Sequence, residues 1–398
     1  MSIPTSPSVV IFCDHLLYLS ETFIRAQSQA LRRFSPVYAG SRRVQGLELP
    51  AGSTYTINSG NAAGKIDEVI FKLFGRAPAL VRQLQALDPV LVHAHFGPDG
   101  LRALPLSRQL GLPLIVTFHG SDATALNPRR HESTFGHRRY LTHRHVLQRG
   151  GSLFIAVSDF IRGKLAEQNY DPEKIIVHYI GVDTKFFSPE TIDIEPVVLF
   201  VGRLSERKGP GYLIQAMAEV QKEYPEIELV LIGDGPLRKH LEEQAKVSLR
   251  KYKFLGAQPP ETIRDWMNRA SIFAASSVRI RSGEEEAFGM VFAEAQAMQK
   301  PVVAFASGGV VEAVADGETG FLAPERDWRK MAEYIALLLR DGNLRRQFGL
   351  AGRNRVLRLF DLEKQTRLLE TIYSDVAARR LPARTSESVP MEAICQGS

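Results

Sequence analysis

Short apolar runs alternate with amphipathic, helix-like segments along most of this chain, and the alternation restarts once near its middle. Strands covered by helices on both faces read as continuous apolar runs, so the pattern predicts parallel sheets in an α/β fold. The restart predicts two doubly wound, Rossmann-like domains. The predicted strands of the two halves are residues 8–12, 90–95, 114–118 and 153–157, and residues 196–201, 228–232, 252–255, 271–275 and 301–305.

The chain is long enough for two hydrophobic cores, since it has 398 residues of which 44% are hydrophobic. We expect one domain over residues 1–190 and a second over 196–360, with a linker near 188–195. A helix over 361–380 is expected to pack back on the first domain, and residues 381–398 read as a disordered tail. Two doubly wound domains place a cleft between them, where the carboxyl ends of the strands point.

Cysteine usage and hydropathy indicate in which cellular compartment the protein resides. The two cysteines, Cys13 and Cys395, lie at opposite ends and form no framework, which favours a reducing environment. No run of about 18 apolar residues suits a spanning helix, and the first residues do not resemble a signal peptide. A cytoplasmic protein is therefore expected.

The excess positive charge lies in the first half of the chain. The net charge is +6, and the residues after 190 are balanced. The excess concentrates between Arg129 and Arg149, where six arginines face one acid, Glu132. Such a segment favours anionic lipid headgroups, phosphorylated acceptors or nucleic acid, and it is also compatible with a solvated helix that binds nothing. Nucleic acid is disfavoured because no recognition motif accompanies the charge.

Two glutamates eight residues apart, Glu286 and Glu294, enclose the Phe288-Gly289 pair. The segment follows a predicted strand and continues into strong helix formers, so a helix should begin inside it. Backbone N–H groups at a helix N-terminus can bind an anion, and Gly289 permits close approach to the main chain. By itself the segment would equally suit a solvated acidic loop.

Two cations follow the first strand of the second half, in the loop containing Arg203 and Lys208. Both can point into the mouth of the cleft and neutralise a diphosphate leaving group, although a lone cation in such a loop is usually surface charge. Gly308-Gly309, after residues 301–305, can expose amides to a phosphate, although such pairs more often only form turns.

Histidines end two predicted strands of the first half. His119 is well placed to reach the cleft and donate to a sugar hydroxyl, whereas a lone histidine is more often structural. His93 and His95 could suggest a metal, but no third ligand is apparent, and packing is the favoured interpretation. Ser20, before Glu21 and Thr22, reads as an N-cap of the first helix.

These segments together resemble the retaining family 4 glycosyltransferases, which have the GT-B fold, over about residues 8–378. Glu286 and Glu294 occupy the two positions of the family's E-x7-E motif, and residues 202–209 match its G-R-L-x-x-x-K-G motif. Two departures are Ser276, where the family often has proline, and the insertion at 278–283. The Ser20–Phe23 and His93–Gly97 segments look like those of colanic-acid-type exopolysaccharide transferases.

The resemblance implies a role for each matched residue. Glu286 and His119 would be catalytic, with Glu286 and Phe288 at the donor sugar and Glu294 at the ribose. The remaining implied contacts form three groups: Arg203, Lys208, Gly289, Met290 and Val291 at the diphosphate; Gly233, Phe254 and Leu255 near the base; and Ser20, Glu21, Thr22 and Gly97 near the acceptor.

The implied reaction moves a hexose from a UDP- or GDP-hexose to an acceptor hydroxyl, with retention at the anomeric carbon. No metal is expected, because no Asp-x-Asp precedes a plausible metal loop. No other cofactor is expected, because the nucleotide sugar is a substrate. The basic first half favours a lipid-linked oligosaccharide acceptor of cell-surface polysaccharide synthesis and an enzyme peripheral at the inner face of the membrane. The alternatives are a non-catalytic sugar-nucleotide-binding protein and a soluble glycosyltransferase acting on a sugar phosphate.

Overall fold

The computed structural model describes residues 6–18, 20–125, 135–190 and 194–378. The first domain is built on a seven-stranded parallel sheet in the order β5-β3-β1-β6-β7-β8-β9, and β2 pairs with β4 beside it. Its strands are β1 Ser8–Phe12, β2 His15–Leu16, β3 Ser35–Gly40, β4 Arg42–Arg43, β5 Thr54–Thr56, β6 Pro89–His95, β7 Leu114–Phe118, β8 Leu153–Ala156 and β9 Ile175–Val177.

The second domain repeats the architecture with a six-stranded parallel sheet in the order β12-β11-β10-β13-β14-β15. Its strands are β10 Val197–Val201, β11 Glu228–Ile232, β12 Tyr252–Gly256, β13 Ile272–Ala275, β14 Val302–Phe305 and β15 Gly320–Ala323. The prediction of two doubly wound α/β domains is confirmed.

Helices cover both faces of each sheet. Those of the first half are α1 Thr22–Gln29, α2 Ala62–Phe74, α3 Pro78–Gln85, α4 Gly97–Leu110, α5 Ser121–Thr124, α6 Phe135–Gly150 and α7 Asp159–Glu167, followed by a 3-10 turn at Pro172–Lys174. Those of the second half are α8 Pro210–Glu223, α9 Arg238–Ser248, α10 Pro260–Arg269, α11 Met290–Ala297, α12 Val310–Ala313, α13 Trp328–Arg340, α14 Gly342–Leu359 and α15 Leu362–Ala377.

Helix α15 crosses from the second half of the chain to the first domain. Leu369, Tyr373 and Val376 pack into the core beneath β1 and β6. The Tyr373 hydroxyl lies 2.6 Å from His93 Nδ1, and Glu370 accepts the backbone N–H groups of Arg32 and Arg33, each at 2.6 Å. The tail expected at 381–398 lies outside the described residues.

The strand orders locate the cleft. In each sheet the order in which strands are added reverses beside the first strand, between β1 and β6 and between β10 and β13. Loops diverge at such a switch point and leave a crevice at the carboxyl ends of the strands, where ligands bind in doubly wound folds. The loops after β10 and β13 contain Lys208 and Glu286.

Candidate functional site

Glu286 lies at the centre of a charged cluster in the second domain. Its Oε2 accepts from the Lys208 ammonium at 2.5 Å, from the Arg207 guanidinium at 3.0 Å and from the Ser277 hydroxyl at 3.2 Å. The carboxylate is buried, with Glu286 only 7% exposed. The structure therefore brings Lys208 and Glu286 together, as their positions at one switch point predict, and adds Arg207, which the sequence did not single out.

The electrostatics of the cluster keep Glu286 ionised. Burial alone would raise its pKa, but the positive charges of Lys208 and Arg207, with the hydrogen bonds from Lys208 and Ser277, outweigh it and lower the pKa to about 2. A buried carboxylate with this pKa is negatively charged at every physiological pH. It can stabilise positive charge that develops beside it.

Helix α11 begins directly after this loop. Gly289 is its N-cap with a φ of 84°, and no side chain caps the helix. A side chain at 289 would be strained at this φ and would approach the Phe292 ring to 2.5 Å. The N–H groups of Met290 and Val291 belong to the first turn, which has no intrahelical acceptors. This terminus, beside Lys208, suits a phosphate group.

Glu294 lies one turn farther along α11. It is half-buried, and no side-chain partner for its carboxyl group occurs among the described residues. Burial raises its pKa to about 7, although Lys208 lowers it in part. An unpaired carboxyl group at this depth is free to accept hydrogen bonds from a ligand diol.

Arg203 follows β10 and is exposed, with no ion pair among the described side chains. It differs from Lys208, whose ammonium is already paired with Glu286. Gly233 allows its loop to pack against the same segment, because a Cβ there would lie 2.0 Å from the Gly202 carbonyl oxygen. Phe254 and Leu255, near the end of β12, are half-buried at the edge of the sheet.

The Gly308-Gly309 pair and Ser276 hold the loops of the site together. The Gly309 N–H donates to the Glu286 carbonyl oxygen at 2.8 Å. A Cβ at Gly308 would lie 2.3 Å from the same oxygen. The pair thus forms a close loop contact, and the Gly309 amide is not left for a phosphate. Ser276, at the departure from the family pattern, donates to the Gly209 carbonyl oxygen at 2.8 Å.

His119 enters the cleft from the first domain. Its Nε2 lies 3.0 Å from His95 Nδ1, and its Nδ1 is buried without a hydrogen-bond partner in the described part of the chain. Burial, together with His95, lowers its pKa well below the ordinary value, so the ring is neutral. The neighbouring Gly120 faces Ala287, since a Cβ at 120 would lie 3.0 Å from the Ala287 Cβ. His119 therefore lies beside the Glu286 loop.

Asp122 positions this histidine, and the sequence analysis did not identify it. Its carboxylate accepts the N–H groups of His119 at 3.1 Å, Gly120 at 2.8 Å and Gly97 at 3.0 Å. Gly97, expected near the acceptor, is tightly packed at the start of α4. Its amide is occupied, and a Cβ there would approach the Tyr140 ring to 2.7 Å.

The side chains of His93 and His95 are buried next to His119. His93 lies between Tyr373 and Thr117, 2.6 Å and 2.7 Å from their hydroxyl oxygens, and its ring centroid lies 4.3 Å from that of His95. Burial lowers the pKa of His95 to about 3. Both rings are neutral core groups. Within the described residues no cluster of three metal-ligating side chains is found.

The loop after β1 differs in detail from the N-cap prediction. Helix α1 begins at Thr22 with Glu21 in the N-cap position, and no side chain caps it. Ser20 therefore does not cap the helix. Glu21 instead accepts the Tyr18 N–H at 2.9 Å. Asp14, beside it, is buried and accepts from Arg102 and Ser41, each at 2.5 Å.

The two domains are joined across the cleft by Glu312. Its carboxylate accepts the N–H groups of Asp159 and Phe160, each at 2.8 Å, at the N-terminus of α7. It also accepts from the Tyr179 hydroxyl at 3.0 Å. Ser158, the N-cap of α7, donates to the Ala287 carbonyl oxygen at 2.6 Å. An acidic residue of the second domain thus caps a helix of the first.

The basic segment expected at 129–149 is described only from residue 135, so Arg129 and Arg130 lie outside the described residues. Helix α6 carries the remaining arginines. Arg149 is exposed, and Arg144 is half-buried and donates to the Gln168 side chain at 3.2 Å. None of the described helices combines the length and hydropathy needed to cross a membrane.

Two family models match consecutive parts of the chain. Residues 57–186 match Glycosyltransferase Family 4, and residues 182–355 match Glycosyl transferases group 1. Their boundary falls near the predicted linker. The second match contains Lys208, Glu286 and Glu294.

Curated relatives agree with these matches. WcaL of Escherichia coli (strain K12), described as a colanic acid biosynthesis glycosyltransferase, is 29% identical over 255 residues, 61% of this chain and 60% of the relative. A D-inositol 3-phosphate glycosyltransferase of Corynebacterium efficiens is 30% identical over 281 residues, 65% of each chain. The alignment spans about three fifths of WcaL, so it leaves much of that relative unmatched.

Solved structures share the fold. Alr3699/HepE of Anabaena in complex with UDP superposes with a TM-score of 0.74 at 21% identity, covering 93% of this chain and 100% of the other. A sucrose-phosphate synthase from Thermosynechococcus elongatus gives 0.75 at 20% identity, covering 94% and 100%. At these identities the likeness shows the two-domain GT-B fold.

Proposed function

We propose that this chain, whose consecutive segments match the models of Glycosyltransferase Family 4 and of Glycosyl transferases group 1, transfers a hexose from a UDP- or GDP-hexose to a hydroxyl group, with retention. The observation that supports this most is the cluster in which Lys208 and Arg207 hold an ionised Glu286 beside the N-terminus of α11. A protein that only binds nucleotides does not need a buried carboxylate at that position.

The leaving diphosphate would bind at the start of α11. There the Met290 and Val291 amides and the Lys208 ammonium supply positive potential, and the exposed Arg203 can close over the phosphates. Negative charge grows on the diphosphate as the glycosidic bond breaks. Donors already fixed in place therefore stabilise the transition state more than the ground state. These cations are the reason to expect no metal cofactor.

The sugar would lie between Glu286 and His119. The ionised Glu286 faces the positive charge that develops at the anomeric carbon, by analogy with the oxocarbenium-like transition states of glycosidases. The buried Nδ1 of His119 has no partner and can hydrogen-bond to a sugar hydroxyl. Glu294 would accept the ribose hydroxyls, with Phe254 and Leu255 beside the base.

We propose a cytoplasmic enzyme, peripheral at the inner face of the cell membrane, that acts on a lipid-linked oligosaccharide in cell-surface polysaccharide synthesis. The similarity to WcaL and the basic surface of α6 support this acceptor class. The acceptor would enter from the first domain, beside the loop after β1 that contains Ser20, Glu21 and Thr22. Tight packing of Gly120 on Ala287 is compatible with a cleft that excludes water.

A donor panel tests the proposal. Purified protein is incubated with UDP- and GDP-hexoses, and release of the nucleoside diphosphate is followed with and without a lipid-linked acceptor. We expect one donor to be preferred and acceptor-dependent release. Nucleotide binding without release from any donor would favour a non-catalytic binding protein, and release driven by a sugar phosphate would favour the soluble alternative.

A further inference from the structure

Helix α2 presents an apolar face to solvent. Ile66, Val69, Ile70 and Leu73 follow the i, i+3, i+4, i+7 spacing of one helix face, and Phe74 extends it. Their exposed fractions are 60% for Ile66, 55% for Val69, 37% for Ile70, 55% for Leu73 and 72% for Phe74. Apolar stripes of this spacing normally face a core, and this one points away from it.

The opposite side of α2 attaches the helix to the domain. Only Gly64, Glu68 and Phe71 are buried. Phe71 packs in the first core, and Glu68 pairs with Lys72 and accepts from Asn58 at 2.6 Å. The narrow buried stripe fixes the orientation of α2, so the exposed apolar face is a defined feature of the folded domain.

Exposed cations lie on α2 and beside it. Arg42 and Arg43, on β4, are exposed, and Arg42 lies 3.8 Å from Glu68. Lys65 is exposed on α2 and Arg76 is exposed just beyond its end. Arg139 of α6 donates to the Lys72 carbonyl oxygen. Asp67 is the one exposed acid on the helix. An exposed apolar face with cations on the same helix and beside it suits the interface of an anionic bilayer.

The same helix reaches the loop at the end of β1. The Lys72 ammonium lies 3.8 Å from the Asp14 carboxylate, and Asp14 precedes the segment assigned to the acceptor region. Leu73, the next residue, is on the exposed face. The acceptor side of the cleft and the apolar face of α2 are therefore separated by one helix diameter, roughly 10 Å.

We propose that α2 is a membrane-docking helix whose apolar face enters the headgroup region of an anionic bilayer, with Arg42, Arg43, Lys65 and Arg76 contacting lipid phosphates. This orientation brings the loop after β1 to the membrane surface, where a lipid-linked acceptor would present its saccharide. Only the presentation of the acceptor saccharide rests on the proposed function. The docking is inferred from the exposed face of α2 alone.

Vesicle co-sedimentation of the full chain tests the docking. Vesicles of phosphatidylcholine, with or without phosphatidylglycerol, are compared for wild type and for the variant Ile66→Ser/Leu73→Ser/Phe74→Ser. We expect binding to require phosphatidylglycerol and to fall by at least about tenfold in the variant, because large apolar side chains supply much of interfacial binding. Lys65→Glu/Arg43→Glu should likewise weaken binding to the anionic vesicles.

The matched control is Val247→Ser/Leu350→Ser/Leu368→Ser, which removes three exposed apolar side chains outside α2. It should bind vesicles as wild type does, and both triple variants should unfold at the wild-type temperature because the changed residues are exposed. Equal binding by the α2 variant and wild type would overturn the proposal. So would dimerisation without vesicles that the α2 variant abolishes, which would assign the face to a second copy of the chain.

Nucleoside diphosphate release, measured in the same preparations without vesicles, separates the two proposals. If the α2 variant binds vesicles less but releases nucleoside diphosphate normally, α2 acts in membrane docking and not in the transfer reaction. Vesicle binding by a wild-type protein that releases nothing from any donor would sustain the docking and overturn the proposed function.

Discussion

The Lys208 ammonium lies 2.5 Å from the Glu286 carboxylate, Nζ to Oε2. The cation assigned to the diphosphate is thus held by the residue assigned to the sugar. A diphosphate that binds at α11 competes for this ammonium, and each hydrogen bond it gains leaves Glu286 less neutralised. Binding of the donor would therefore increase the negative field at the anomeric carbon.

Replacement of Glu286 should separate binding from catalysis. Glu286→Gln keeps the shape of the side chain but removes its charge, so we expect nucleoside diphosphate release to fall by about a hundredfold or more. Affinity for the free nucleoside diphosphate should rise, because Lys208 and Arg207 lose their anionic partner. Turnover assays and calorimetry measure the two effects.

Near-normal turnover in Glu286→Gln would contradict this mechanism. Glu285→Gln is the matched control, since Glu285 is the adjacent acid and pairs with Arg279 rather than with Lys208. It should retain most of the activity.

Removal of the loop cations should weaken donor binding. Arg203→Ala and Lys208→Ala each remove a charge-assisted contact to phosphate, and we expect calorimetric affinity for the nucleoside diphosphate to fall by about tenfold in each. Arg250→Ala removes an exposed cation from the same domain and serves as the control. Unchanged affinity in both loop variants would exclude them from the phosphate site.

Glu294 should make donor affinity depend on pH near neutrality. Its pKa is about 7 because burial disfavours the charged form, whereas ribose hydroxyls donate best to the carboxylate. Binding should therefore favour deprotonation, so affinity should rise as pH increases from 6 to 8 and then level off. Calorimetry with an intact nucleoside diphosphate sugar avoids the titration of a terminal phosphate.

The variant Glu294→Gln should flatten that profile, because an amide does not titrate. The same slope in wild type and variant would show that another group titrates.

Glu312 should control the contact between the domains. Glu312→Ala leaves the N–H groups of Asp159 and Phe160 without their carboxylate, at a cost of about 1 kcal/mol by the usual value of a helix cap. We expect a larger radius of gyration in small-angle X-ray scattering and slower transfer. Glu312→Gln retains an acceptor oxygen and should show a smaller change, and identical scattering of all three proteins would refute the interdomain role.

The sequence predicts the fold well where a strand is mostly apolar and buried. Strands β1, β7 and β11 have the predicted bounds because each contains at least three consecutive apolar residues that are buried. Six strands were not predicted, namely β2, β3, β4, β5, β9 and β15. Of these, β5 and β9 have three residues each and lie at the edges of the first sheet.

Site residues were predictable where a short motif carries them and not where the chain brings distant segments together. Glu286 and Lys208 stand in recognisable local patterns. Arg207 occupies a variable position of the G-R-L-x-x-x-K-G motif. Asp122 and Glu312 accept from backbone amides of other segments. No local periodicity encodes a carboxylate that accepts main-chain N–H groups across a fold. The apolar face of α2 was missed because spacing alone does not show which side is buried.

The crossing of α15 has a consequence for synthesis of the protein. The first domain lacks the layer formed by Leu369, Tyr373 and Val376 until helix α15 has emerged from the ribosome. Until then Val9 and Ile11 have an incomplete core. The N-terminal domain therefore cannot finish folding before the C-terminal domain has been translated, and a nascent chain arrested before residue 362 should remain a substrate for chaperones.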